Sequence, residues 1–235
     1  MLIGQDFDKI ETNIFGYKFL EINAFYGDTI ILIVALILAY KISKYTLKTP
    51  FFNNWKWFFI VFGVGFFAGG LGHFVFHYWG LTGKYASWYL GIIAVYFVER
   101  AIVSIHPNQK WRQRFNVFFK IKLLFAILAA TCVFIFVDIS QDPQKGLVVP
   151  SLNSIIGLIM TLGFLGYYYQ KTIATSFKYL WISTLVLIPS AVFQSKKINF
   201  HQWFDRNDVS HILLIISLLL YYKAIKGYYK HLKES

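Results

Sequence analysis

Seven stretches of about twenty residues, nearly free of charge, dominate the chain and lie at about 27–46, 55–80, 86–106, 116–138, 150–170, 173–194 and 207–229. A helix needs about 20 mostly apolar residues to cross the hydrocarbon core. Backbone polar groups there must be satisfied internally, which leaves helices and closed barrels. The expectation is therefore an all-α polytopic membrane protein, a bundle of seven transmembrane helices. The breaks between runs carry turn and stop residues: Pro50 with Asn53-Asn54, Gly80 to Gly83, His106-Pro107-Asn108, Asp142-Pro143 with Gly146, and Lys196-Lys197. The fifth and sixth runs are separated only around Gln170-Lys171-Thr172, which reads as a tight helical hairpin.

Charge supports this class. Only 14% of the 235 residues are charged, against about 25% in a soluble domain. The formal charge of +12 sits in short clusters between apolar runs. That pattern reads as topology signals rather than a nucleic-acid surface. Cys132, the single cysteine, lies inside an apolar run and reads as packing. The first residues lack the basic start and apolar core of a cleavable signal.

Residues 1–26 carry Asp6, Asp8, Lys9, Glu11, Lys18 and Glu21 among Phe7, Ile10, Ile14, Phe15, Phe19 and Ile22. They read as a short N-terminal amphipathic segment lying on the membrane surface. The membrane domain is then 27–229, with 230–235 as a tail. With the N-terminus outside, sixteen Lys and Arg fall in inward segments and seven (Lys9, Lys18, Lys84, Lys145, Lys196, Lys197 and Arg206) in outward ones. Cytoplasmic segments collect basic residues, so the expected orientation is N-out, C-in. Small residues recur in the second run (Gly63, Gly65, Ala68, Gly69, Gly70, Gly72) and the fifth (Gly157, Gly163, Gly166). They place both runs centrally, because small side chains let helices approach closely.

The chemistry-bearing residues fall near two run ends. Gly72-His73-Phe74-Val75-Phe76-His77 puts two histidines four residues apart, on one face if the helix continues. Asn207-Asp208-Val209-Ser210-His211 opens the last run. His73 lies about 9 Å, and His211 about 6 Å, below the outer surface at 1.5 Å per residue, so the two clusters share a depth. Imidazoles and a carboxylate at one depth can hold zinc, with three protein ligands and a water in the fourth position. His73 and His211 are the first candidate ligands, with His77 or Asp208 completing the set. Asp208, with Asn207 beside it, is also the catalytic candidate, accepting a proton from the water or orienting a histidine. The competing reading has hydrogen-bonded histidines, with Asn207 and Asp208 capping the last helix.

This layout resembles the CREST superfamily of seven-helix membrane hydrolases, which includes the alkaline ceramidases and the progestin and adipoQ receptors. The family's second-helix histidine matches His73 or His77, and the last histidine of its seventh-helix HxxxH matches His211. Asn207 stands at the other HxxxH position, making NDxxH. Gly69 stands where the family carries a serine, and Ser87 is the polar residue early in the third run. The resemblance implies an uncharacterised bacterial branch in the inner (plasma) membrane. It further implies a zinc-dependent hydrolase of a lipid amide or ester, with zinc-bound water as nucleophile.

The alternative is a non-catalytic seven-helix receptor or sensor binding a small ligand or metal in its outer pocket; a membrane lipid is substrate or ligand in either case. A retinal protein is excluded because Ile215-Ile216-Ser217-Leu218 occupies the place of the required lysine. A transporter has little support without an inverted repeat. Asp28, Ser87, Ser151, Asn153, Gln194 and His201 read as solvated residues of the same outer end, and the Trp and Tyr near run ends as an aromatic belt. Glu99 reads as half of a charge pair with Arg100.

Overall fold

In the computed structural model, which describes residues 8–140 and 142–234, seven helical segments are long and apolar enough to cross a membrane. This is the architecture of an integral membrane protein. The chain opens with a hairpin of β1 (Glu11–Ile14) and β2 (Tyr17–Leu20), paired antiparallel with Glu11 opposite Leu20 and Ile14 opposite Tyr17. Its two-residue loop, Phe15-Gly16, has both φ angles positive (52° and 83°), the mirror-image turn that matches strand twist. Among the described residues of 1–26 there is thus a hairpin, followed by the start of the first helix. Asp6 and Phe7 lie outside the described residues. Along β1 exposure alternates, Glu11 and Asn13 outward and Thr12 and Ile14 partly buried, the period of two that a strand requires. Ile10 and Leu20 are buried, and Phe19 stacks on Phe74 with ring centroids 4.3 Å apart.

Then follow α1 (Ile22–Ser43), α2 (Pro50–Phe74), the short α3 (Phe76–Trp79), a 3-10 turn (Gly80–Lys84), α4 (Tyr85–Ser104) and α5 (Gln109–Phe136). The fifth span runs through α6 (Gln144–Leu158), a π-helical segment (Ile159–Leu165) and α7 (Gly166–Thr172). A 3-10 turn (Thr175–Phe177), α8 (Lys178–Lys196) and α9 (Arg206–Glu234) complete the bundle. The break between the fifth and sixth spans falls right after Gln170-Lys171-Thr172.

Small residues position α2. A Cβ on Gly63 would lie 2.9 Å from Ala35, one on Gly65 3.1 Å from Leu90, and one on Gly70 2.8 Å from Asp28. The helix is therefore clasped between α1 and α4 at backbone distance. Away from the hairpin, the core is aromatic: Phe51, Trp55, Phe59, Tyr169 and Phe177 are fully buried and meet largely edge to face. Such pairs add about 0.5–1.5 kcal/mol beyond the area they bury.

Two sequence expectations change here. The second run stops as an α-helix at Phe74, because Val75 leaves helical geometry (φ −98°, ψ 22°), and α3 begins at Phe76 as a separate short helix. His73 and His77 are therefore not stacked on one helix face. Glu99 pairs not with Arg100 but with Lys122 of α5, at 2.7 Å. Lys122 also donates to the backbone and side-chain oxygens of Asn153 in α6. Arg100 follows Glu99 directly, so it points elsewhere and donates to Asn116.

Candidate functional site

The start of α9 is fixed by a reciprocal cap. Asp205 Oδ1 accepts from the backbone N–H groups of Asn207 (2.7 Å) and Asp208 (3.4 Å), and Asp208 Oδ2 accepts from the N–H of Asp205 (2.8 Å). This is a capping box built from two aspartates. The same Asp208 oxygen accepts from Asn23 Nδ2 of α1 at 3.0 Å. Asn207 Oδ1 accepts from Gln194 of α8 (3.1 Å), which also donates to Ser210 (3.0 Å). Ser190 donates to Ser210 as well, at 2.9 Å.

One turn on, His211 Nε2 lies 3.1 Å from Asp28 Oδ1, both side chains being buried. The ring rests on Gly27, where an added Cβ would come within 2.1 Å of Nδ1. Nδ1 is buried there without a hydrogen-bond partner.

His73 enters from α2. Its Nδ1 is 2.5 Å from Glu21 Oε2, and its Nε2 is 2.8 Å from Lys84 Nζ. Lys84 reaches it because Gly72 touches the Gly83 carbonyl, leaving no room for a Cβ (2.6 Å). The lysine donates to Nε2, so the network assigns the ring proton to Nδ1, which donates to Glu21. Lys9, just before the hairpin, bridges Glu21 (2.8 Å) and Asp205 (2.9 Å). One buried network thus ties the hairpin, α2, the start of α4 and the cap of α9.

Two of its groups lie outside the spans. Burial opposes ionisation of Glu21, yet His73, Lys9 and Lys84 outweigh it and hold the carboxyl well below its ordinary 4.5. Burial likewise works against the charge of Lys9, but Glu21 and Asp205 prevail and raise it above 10.5.

Beneath the network lies a half-open cavity of about 300 Å³. His73, Asp28, His211 and Asn207 line it together with Ser87, Ser190, Gln194 and Ser210, and Phe62, Phe66 and Leu214 form an apolar part of its wall. Of the residues singled out from the sequence, His73, His211 and Asn207 therefore converge on one space. Asp208 is not in the cavity wall; it serves the cap. His77 is separate, half-exposed and 3.5 Å from Glu11 of the hairpin. Of the outer-end polar residues, Asp28, Ser87 and Gln194 also line the cavity, whereas Asn153 serves Lys122 and His201 bridges Phe204.

Glu21, Lys84, Lys9 and Asp205 are the residues that reading the sequence missed. In the sequence Lys9 and Lys84 read as outward loop charges, and no spacing rule joins them to Glu21. The Asp205-x-x-Asp208 pattern did carry a readable capping signal.

The arrangement does not fit a three-ligand zinc centre. Both nitrogens of His73 are engaged, Asp208 accepts from two donors, and the free nitrogen of His211 faces the Gly27 backbone. Among the described residues, no group of three or more His, Cys, Asp or Glu side chains is placed to hold a metal ion.

A family match covers residues 24–230, nearly the whole helical part. The chain belongs to DUF6962, a family of unknown function. The DUF6962 match thus takes in α2 to α8 whole and most of α1 and α9, and leaves out the hairpin. No curated protein and no solved structure matches the chain.

Proposed function

We propose that this DUF6962 protein is a non-catalytic seven-helix membrane receptor or sensor, oriented N-out and C-in, whose cavity binds a small amphiphile with an uncharged, hydrogen-bonding head group. One observation carries the proposal: residues from α1, α2, α4, α8 and α9 converge on a single half-open cavity with a polar wall and an apolar one. Its volume of about 300 Å³ is at the lower end of small-molecule sites, which run from about 300 to 1,000 Å³. Ser87, and the acceptor lone pairs that Ser190, Gln194 and Asn207 keep beyond the bonds among them, offer hydrogen-bonding groups to a neutral head group. Asp28 is matched by His211, and His73 by Glu21 and Lys84, so a charged head group would lose water without gaining a free counter-charge.

Gly91 provides the test. It lines the cavity, and an added Cβ there meets nothing within 4 Å. Gly91→Leu fills the space and improves helix propensity by about 0.5–1 kcal/mol. In detergent, the ligand-free variant melts higher than wild type, while the thermal shift caused by a monoacylglycerol disappears. An equal shift in both proteins refutes the cavity as the site.

A second reading, the zinc-dependent lipid hydrolase, is favoured by His73 and His211 facing the same space. It requires Lys84 to leave His73, His211 to turn its free nitrogen away from Gly27, and a third ligand to join them. Metal analysis of protein purified without chelator, paired with a screen of lipid amides and esters, decides it: stoichiometric zinc lost in both His73→Ala and His211→Ala, together with turnover, supports the hydrolase, whereas zinc without turnover supports the receptor.

A further inference from the structure

At the end of the bundle away from the hairpin lies a second cavity, about 590 Å³ in volume. It opens where the loop after α1 turns into α2, and Arg100 of α4 forms part of its wall. Lys48, Lys56 and Arg100 supply three cations, and Thr49, Asn53 and Asn54 add polar groups. No carboxylate lines it. Among the described residues, the contacts of these cations are with neutral groups. Lys48 donates to the Ser43 carbonyl (2.7 Å), Lys56 sits 5.1 Å from the Trp57 ring, and Arg100 donates to Asn116 (3.0 Å). Glu99, the nearest acid in sequence, is turned to Lys122.

Basic residues that only set topology need to lie near the span ends but need not share a concavity. Here Lys48 from the loop after α1, Lys56 from α2 and Arg100 from α4 are brought to one cavity wall. We propose that this cavity binds an anionic phosphate group, either a phospholipid head group or a soluble phosphate compound. Arginine's planar fork matches phosphate oxygens, and the two lysines supply compact charge beside it. The N-terminus of α2, capped by Thr49, adds its positive dipole end to the same wall.

The test uses the full-length protein in two arms: inorganic phosphate titrated in detergent, and phosphatidylglycerol nanodiscs compared with phosphatidylcholine ones. Wild type binds in at least one arm; phosphate binding identifies a soluble ligand, and a response to phosphatidylglycerol alone identifies a head group. Arg100→Gln and Lys56→Gln each weaken that binding about fivefold, the effect of one basic residue near an anionic surface. Lys230→Gln, elsewhere on the same basic end, leaves it unchanged. Asn53→Glu guards against misfolding: Asn53 is exposed in the first turn of α2, where a carboxylate suits the helix dipole. It abolishes binding while the melting temperature is held. No binding in either arm, or equal weakening by Lys230→Gln, overturns the proposal.

Discussion

At the scale of single residues, Glu21 holds the site together. It faces Lys9, His73 and, through that ring, Lys84, and it is itself buried. Removing one partner of a buried ion pair costs about 3–5 kcal/mol, because the remaining charges stay desolvated. Glu21→Gln is therefore expected to lower the melting temperature in detergent sharply. Acid should do the same to wild type. Its folded pKa is depressed below 4.5, so its contribution is complete above that value and is lost as pH falls further. Melting temperatures taken from pH 7 down to pH 3 should decline below about pH 4.5 in wild type and more shallowly in Glu21→Gln. Parallel curves would remove Glu21 from the acid response. None of this was legible in the residue pattern, since Glu21 and Lys9 sit in a stretch whose charges read as surface. His73 and His211 were legible because histidines at the ends of apolar runs are costly and need partners.

At the scale of elements, the spans were readable and their interruptions were not. Apolar length alone marked seven runs, since a chain in hydrocarbon has few other options. The end of α2 at Val75 has no proline or glycine at or just after it: Gly69, Gly70 and Gly72 come earlier and read as packing, and Gly80 and Gly83 come later. The hairpin was hidden for a similar reason, because its turn is Phe15-Gly16 rather than Asn-Gly. Phe15 is 95% exposed at φ 52°, so it packs on nothing that would repay the left-handed conformation. Asparagine tolerates that region better, and a side chain there otherwise costs about 1–2 kcal/mol. Phe15→Asn should slow amide hydrogen exchange across residues 11–20 about fivefold or more, with little change in the helices. Unchanged exchange there would contradict the turn geometry.

At the scale of the whole molecule, charge is sorted between the two ends. Sixteen of the 23 basic residues belong to segments at the end away from the hairpin, the bias that fixes insertion. A fluorescent reporter fused after Ser235 is expected to fluoresce in the cytoplasm. Alkaline phosphatase inserted in the loop between α5 and α6 is expected to be active outside. The opposite result in both would invert the proposed orientation and place the histidine cavity on the inner side. The helical class and the depth shared by the two histidine clusters came from the sequence pattern. How side chains pair across helices did not, because pairing depends on rotations about helix axes that no spacing records.

The clasped glycines of α2 carry a mechanical consequence. One rod of 25 residues borders both chambers, presenting His73 to the first and Lys56 to the second. At Gly63 it lies against Ala35 and Leu32 of α1, and at Gly65 against Leu90 of α4, with little or no room for a Cβ between them. A tilt or slide imposed at one end of so closely held a rod is expected to carry to the other, which makes α2 the lever by which the two compartments would be coupled.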